Sequence, residues 1–150
     1  AANGPRLAAL EIGGWDTHAN QAARLAGPLR QLDAGLVALK AGLGDAWRRT
    51  AVLVMTEFGR TVRVNGTRGT DHGTGTVAFL LGGGVAGGRV RGNWPGLGDL
   101  FEGRDLAPTT DLRSIAKGVL GPHLGLSAAA LAQVFPDSGA AEAMAGLVRG

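Results

Sequence analysis

The chain has 150 residues, of which 45% are apolar, so it is long enough and apolar enough to form one domain with a hydrophobic core. It has no cysteine, which excludes disulfides and thiolate metal sites and leaves imidazole and carboxylate as metal ligands. Its net charge is +3, but it has little aromatic surface for base stacking and no apolar run near the roughly 20 residues of a membrane span. We therefore predict neither a nucleic-acid partner nor a membrane-spanning helix.

The first predicted elements are a strand, a helix and a second strand. Residues 7–12 predict a short buried strand, and residues 51–55 predict a buried parallel strand. Between them, leucines at three- and four-residue spacing predict an amphipathic helix from about Asn20: Leu25, Leu29, Leu32, Leu36, Leu39 and Leu43. Pro28 predicts either a kink in this helix or its true start. The order of elements predicts a βαβ unit with parallel strands.

The second half of the chain predicts one more strand and two helices. Residues 77–81 predict a buried strand, and the glycine-rich residues 82–100 predict loops with a short hairpin. Thr109, Thr110 and Asp111 offer capping side chains to a helix, and Ser127 caps another that Pro136 stops. The alanine-rich tail that follows is predicted to be helical or frayed.

Two of the three histidines stand beside an aspartate in loops that contain glycine. Asp16 and His18 are two residues apart, so on an extended backbone their side chains leave the same face and could hold one ion. Asp71 and His72 offer the same ligand types, although capping and a structural hydrogen bond also explain either pair alone. Because open α/β sheets place their sites beyond the strand ends, we expect both pairs to meet there. These ligands predict Zn²⁺ or Mn²⁺, and oxygen-only partners would favour Mg²⁺ or Ca²⁺.

Three further polar residues have two interpretations each. Glu57 directly follows a predicted strand, so it is either a metal ligand or base, or a carboxylate that pairs with Arg60. Arg60 begins a local excess of arginine that favours an anionic ligand near the site, with solvated loop arginines as the alternative: Arg60, Arg63, Arg68, Arg89 and Arg91. His123 is predicted to end a helix near the last carbonyls.

Five motifs in chain order resemble one bacterial family: GGWDTH, VLVMTEFGRT, NGTRGTDHGTGTVAFLLGGGV, TTDLRSIAKGVL and VFP. They are similar to the sulfatase-like proteins known as domain of unknown function 1501, within the alkaline phosphatase superfamily. The resemblance implies an alkaline-phosphatase-like three-layer αβα fold with a largely parallel sheet. It also implies that residues 1–150 are a partial domain, the carboxyl-terminal half of a longer protein, and that the parent is exported, with a periplasmic location.

The resemblance further implies a metal-dependent hydrolase of phosphate or sulfate esters. Carried over by motif, Asp16, His18 and His72 hold one ion. Glu57 stands where the superfamily usually has an aspartate of a second ion, and Asp71 is either a ligand or a carboxylate behind one. The oligomeric state is not predicted.

The same resemblance leaves the attacking residue outside this chain. Thr17, Thr56 and Thr70 are the nearby hydroxyls, but nothing in the sequence marks one of them as a nucleophile. Arg60 is expected to neutralise charge on the transferring group. We therefore expect the fragment to be catalytically incomplete, and the alternative is a non-catalytic module that binds an anion or a metal.

Overall fold

The computed structural model describes residues 4–149, which form three α-helices and four short strands. The helices are α1 (Gln21–Leu43), α2 (Leu112–Leu124) and α3 (Ala128–Val134), and a 3₁₀ helix (Gly44–Arg49) follows α1. The strands are β1 (Val52–Val54), β2 (Gly59–Arg60), β3 (His72–Gly73) and β4 (Phe79–Leu81). Within residues 4–149, none of the helices is both long enough and apolar enough to cross a membrane, as predicted.

The helix predicted from the leucine spacing is confirmed as α1. It begins at Gln21, directly after Asn20, and continues through Pro28, so the interpretation of Pro28 as its start is wrong. None of its residues is buried by the part of the chain described, and Leu29 and Val37 are 53% and 64% exposed. The spacing of the leucines thus predicted the helix correctly, but not the burial of its apolar face.

The strands pair in two antiparallel ribbons. β1 pairs with β4, from Val52 opposite Leu81 to Val54 opposite Phe79, and β2 pairs with β3. A parallel pair needs a crossover that returns the chain to the same end of the sheet. Residues 55–78, which include the ribbon of β2 and β3, instead return the chain beside the end of β1, so β1 and β4 run in opposite directions.

The buried strand predicted at residues 7–12 is wrong. These residues pair with no strand between residues 4 and 149, and Leu7 and Leu10 are 69% and 86% exposed. An apolar run becomes a buried strand only where another element covers it, and nothing in the described part of the chain covers this one. The predicted parallel pairing with residues 51–55 is therefore not found, and the three-layer fold with a largely parallel sheet stays a prediction.

The small apolar core lies where α2, α3 and the residues after α3 meet. Its buried members are Val85, Ala116, Val119, Leu131, Ala141 and Leu147. The tail after α3 is neither helical nor frayed, because the Ala86 amide donates to the Leu147 carbonyl at 2.9 Å. Gly118 of α2 permits this packing, since a Cβ there would lie 2.1 Å from the Met144 carbonyl oxygen.

The predicted caps of α2 and α3 are confirmed. The Asp111 carboxylate accepts a hydrogen bond from the Arg113 amide at 2.8 Å, and the Ser127 hydroxyl accepts one from the Ala130 amide at 3.2 Å. His123 lies in the last turn of α2, as expected from the sequence. Capping side chains therefore set the starts of both helices.

Replacing Asp111 tests how α2 begins. Asp111→Ala is expected to destabilise the protein by about 1 kcal/mol, because the cap is lost. Asp111→Asn retains a capping oxygen but loses the ion pair with Arg113, so it should cost less. The hydrogen bond from Arg113 lowers the pKa of Asp111 from 3.8 to about 2. A carboxylate with a lowered pKa stabilises the folded state above the pKa of the unfolded chain and stops doing so as the pH falls through the folded value.

The stability difference between wild type and Asp111→Asn should therefore be constant above about pH 5 and shrink between about pH 4 and pH 2. Urea unfolding of both proteins at several pH values measures it. A difference that stayed constant down to pH 2 would contradict the ion-pair interpretation.

Candidate metal centre

One antiparallel ribbon and the loop before α1 build the centre. Arg60 on β2 lies opposite His72 on β3, so the ribbon holds these two residues side by side. The loop before α1 joins the segment between β2 and β3 through a bridge between Ala19 and Arg68. The Gln21 amide at the start of α1 also donates to the Arg68 carbonyl at 2.9 Å. Two segments far apart in the chain are thereby fixed to each other.

Asp16, His18 and His72 each bring one donor atom to the same place. Asp16 Oδ1 lies 3.0 Å from His18 Nε2 and 2.9 Å from His72 Nε2, and the two nitrogens are 3.2 Å apart. The three side chains are 47–54% exposed, so the group opens to solvent. Within residues 4–149, this is the one group of three histidine or carboxylate side chains whose donor atoms converge in this way.

Asp71 lies behind the His18 ring rather than among the converging atoms. Its Oδ1 is 3.0 Å from His18 Nδ1, while Nε2 of the same ring faces Asp16 and His72. The hydrogen bonds with His18 and, secondly, with Asn65 lower the pKa of Asp71, which keeps this carboxylate charged. Carboxylates in this position fix the orientation and the tautomer of a metal-binding histidine. Of its two predicted roles, the geometry matches the carboxylate behind a ligand.

Arg60 connects the two loops of the centre. Its Nη1 donates to Asp16 Oδ1, and its Nη2 donates to the carbonyl oxygens of Thr17, at 2.6 Å, and of Thr70. Its Nε donates to Thr70 Oγ1 at 3.0 Å. The hydrogen bond from Arg60 lowers the pKa of Asp16 most, and the hydrogen bond from His72 and the charges of both histidines add to it against the opposing effect of desolvation. Four of the five N–H groups that a guanidinium carries are thus engaged within the protein.

The family model described as "Protein of unknown function (DUF1501)" matches residues 1–135, which include every residue of this centre. The chain belongs to this family. The resemblance drawn from the five motifs is thereby confirmed at the level of the family. Comparison with curated proteins and with solved structures gives no significant match.

The threonines of this DUF1501 chain hold the loops together. Thr17 and Thr70 are only 3% and 7% exposed, and both hydroxyls donate to Gln21 Oε1, at 3.0 Å and 2.6 Å. The Thr56 hydroxyl donates to the Phe58 carbonyl at 2.8 Å. The three hydroxyls noted in the sequence are therefore engaged within the protein, which does not suit a nucleophile.

Glu57 is not brought to the group of Asp16, His18 and His72. It is exposed and lines a shallow cleft of about 380 Å³ together with Met55, Leu112 and other residues of α2. The next residue, Phe58, faces the centre instead, because its ring packs on His72 with the ring centroids 4.3 Å apart. The bend at residues 57–58 thus directs the aromatic side chain inward, and Glu57 adds no donor atom to the group of Asp16, His18 and His72.

The local excess of arginine divides into two sets. Arg89 and Arg91 donate to the carbonyl oxygens of Gly146 and Ala145, so they hold the tail after α3. Arg63 and Arg68 are exposed on the segment between β2 and β3, which also carries Asp71. Only this second set, together with Arg60, lies on the ribbon and loop that build the centre.

Three residues of this region were missed in the sequence: Gln21, Phe58 and Asn65. Asn65 precedes glycine, and Asn-Gly is a recognised turn signal, so its part in shaping the loop could have been predicted. Gln21 and Phe58 carry no such signal, because each acts through a contact with a residue far along the chain.

Proposed function

We propose that this protein is the metal-binding part of a sulfatase-like hydrolase of phosphate or sulfate esters. The observation that carries the proposal is the convergence of Asp16, His18 and His72, whose two loops are separated by more than 50 residues. Three protein ligands with an open, exposed side are the arrangement of catalytic metal sites, whereas structural sites are closed by four. This exposure therefore favours a reactive ion over a purely structural one.

The donor set suits one divalent ion, with Zn²⁺ the first choice and Mn²⁺, Mg²⁺ or Ca²⁺ as alternatives. Ligand atoms at about 2.0–2.1 Å from a tetrahedral ion are about 3.4 Å from one another. The observed separations of 2.9–3.2 Å are close to that spacing. Two imidazoles and one carboxylate are also a borderline set that zinc accepts. The residues present therefore fit the ion.

Each residue of the centre has a distinct task in this proposal. Asp16, His18 and His72 bind the ion, and Asp71 orients His18. When bound, a divalent ion polarises an ester oxygen and lowers the pKa of water. Arg60 keeps the two ligand loops together, and its one unengaged N–H limits any direct contact with substrate.

The substrate class is supported by charge. Arg63 and Arg68 are exposed on the segment between β2 and β3 that carries Asp71, whereas the charge of Arg60 is paired with Asp16. Arginine binds phosphate and sulfate through paired N–H groups, so an anionic ester fits this surface better than a neutral one.

A second candidate function is a non-catalytic module that binds an anion or a metal. The observation in its favour is that Thr17, Thr56 and Thr70 are engaged elsewhere. In the hydrolase proposal, the attacking group comes from outside the residues described. In the alternative no attacking group exists, and the centre serves binding alone.

Metal content tests the ligand assignment. The purified protein, equilibrated with Zn²⁺ and then desalted, is expected to retain one ion per chain, measured by plasma mass spectrometry. His18→Ala and His72→Ala should retain only background metal, because each removes one of three ligands. His123→Ala is the matched control, since it removes the third histidine, which lies on α2. Unchanged metal content in both ligand variants would exclude the site.

Turnover separates the two candidate functions. The full-length parent is assayed with an aryl phosphate and an aryl sulfate, before and after treatment with a chelator. Hydrolysis that the chelator abolishes supports the hydrolase. Stoichiometric metal with no turnover of either ester supports the binding module.

A further inference from the structure

We propose that Asn65 is a positioning residue of the metal centre, because it fixes both the backbone of His18 and the carboxylate behind the His18 ring. The inference rests on the proposed metal site. Asn65 Nδ2 donates to the His18 carbonyl oxygen at 3.0 Å and to Asp71 Oδ1 at 3.1 Å. One side-chain amide thus holds a ligand residue at two points, through its own backbone and through its orienting partner.

The other end of the same amide shapes the loop that carries Asp71. Asn65 Oδ1 accepts from the Thr67 amide at 3.1 Å and from the Gly69 amide at 2.9 Å, and the Thr67 hydroxyl oxygen lies 2.9 Å away. The single proton of that hydroxyl is donated to the His18 carbonyl oxygen, which is nearer, at 2.6 Å. An amide rotated by 180° would place its N–H groups against the two backbone amides. The surrounding donors and acceptors therefore select one orientation of Asn65.

The orientation of the His18 ring depends on Asp71 Oδ1, the oxygen that both Asn65 and His18 contact. Asp71 Oδ1 accepts from Asn65 and is also 3.0 Å from His18 Nδ1. With the backbone of His18 and this oxygen both fixed, Nε2 of the ring is held toward Asp16 and His72. Removing such an outer partner typically weakens metal binding by about 10- to 100-fold, without removing a ligand.

Two variants separate positioning from folding. Asn65→Asp keeps an oxygen that can accept from Thr67 and Gly69, but it loses the donor to His18 and Asp71. Asn65→Ala loses both functions. Asn93→Ala is the matched control, because Asn93 lies in the exposed residues 91–94, outside the centre. In Co²⁺ titrations followed by visible absorption, we expect affinity to fall about 10- to 100-fold in Asn65→Asp and at least as far in Asn65→Ala, but not in Asn93→Ala.

Nuclear magnetic resonance of the metal-free protein gives a second readout. Couplings between the α and β protons of His18 should indicate one side-chain rotamer in wild type and an average over several in Asn65→Asp. Thermal unfolding shows whether that variant is folded. A folded Asn65→Asp with the Co²⁺ affinity and the His18 couplings of wild type would overturn the inference.

The same measurements distinguish a failure of the proposed metal site from a failure of the proposed role of Asn65. If wild type binds no Co²⁺, the metal site is wrong, while the His18 couplings still decide the role of Asn65. If both Asn65 variants fail to fold, hydrogen exchange in wild type decides instead. The Asn65 side-chain amide protons must then be protected, and exchange at the rate of a free amide would overturn the inference.

Discussion

Replacing Arg60 by methionine is expected to weaken metal binding strongly and to destabilise the loops that form the centre. Methionine retains an apolar stem but has no donor, so the carbonyl oxygens of Thr17 and Thr70 lose their guanidinium partner. Both threonines are buried, at 3% and 7% exposure, so water cannot replace that partner. The Thr17 carbonyl keeps a long hydrogen bond from the Thr70 amide, at 3.4 Å, but the Thr70 carbonyl is left unsatisfied, which costs about 1–3 kcal/mol. Asp16 loses the partner that contributes most to its lowered pKa.

The two effects are measured separately. Urea unfolding of the metal-free protein reports the free energy lost with the two carbonyl contacts. Competition with a coloured chelator reports the affinity for Zn²⁺, which should fall by at least about 100-fold, the upper end for an outer partner, because Arg60 supports two ligand loops at once.

Arg60→Lys and Arg63→Met are the matched variants. Lysine keeps the charge but has a single ammonium that cannot match the forked contacts of arginine, so its affinity should lie between wild type and Arg60→Met. Arg63→Met removes one positive charge from an exposed position of the same segment. If it weakened Zn²⁺ binding as much as Arg60→Met does, overall charge and not the contacts of Arg60 would be responsible.

The helices were predictable because their signals are local. The leucine period of α1 lies within one segment, and the caps of α2 and α3 lie within three residues of the groups that they bind. Local hydrogen bonding and helix propensity decide such features, so they can be predicted from the residues of the segment itself.

Residues 7–12 show where such prediction stops. Leu7 and Leu10 belong to an apolar run that is typical of a buried strand. A strand is buried only when another element packs on it, and the local sequence does not specify that element. The same limit applies to α1, which forms as predicted although its leucines lie against little of the described chain.

The sequence predicted that the residues of the centre lie together, but the contacts that bring them together differ from those expected. The sequence argument placed Asp16, His18 and His72 together at the ends of parallel strands. In the structure the loops meet through Arg60, through the Ala19 bridge to Arg68 and through a β-ribbon. Glu57 lies three residues after the end of β1, much as Asp16 was expected to follow a strand, yet it faces away because the bend at residues 57–58 turns Phe58 inward. The sequence thus predicted which residue types form the centre, but not the direction in which each loop presents its side chains.

Gly69→Ala is expected to destabilise the protein and to displace His18. A Cβ at position 69 would lie 2.2 Å from the carbonyl carbon of His18 and 2.3 Å from its oxygen. These backbone atoms cannot move aside by changing a rotamer, and the same oxygen accepts hydrogen bonds from Asn65 and Thr67. Overpacking typically costs about 1–3 kcal/mol, and backbone contact places this case at about 3 kcal/mol.

Gly66→Ala is the control, because it makes the same chemical change three residues earlier in the loop. A Cβ at Gly66 would meet nothing within 4 Å, and its φ is not in the left-handed region. Alanine at such a position reduces the entropy of the unfolded chain and stabilises by about 0.4–1 kcal/mol. Urea unfolding should therefore shift in opposite directions for the two variants, and Zn²⁺ affinity should fall only in Gly69→Ala. Equal stabilities would mean that this loop does not pack on His18, and the ligand loops would then need another cause for their convergence.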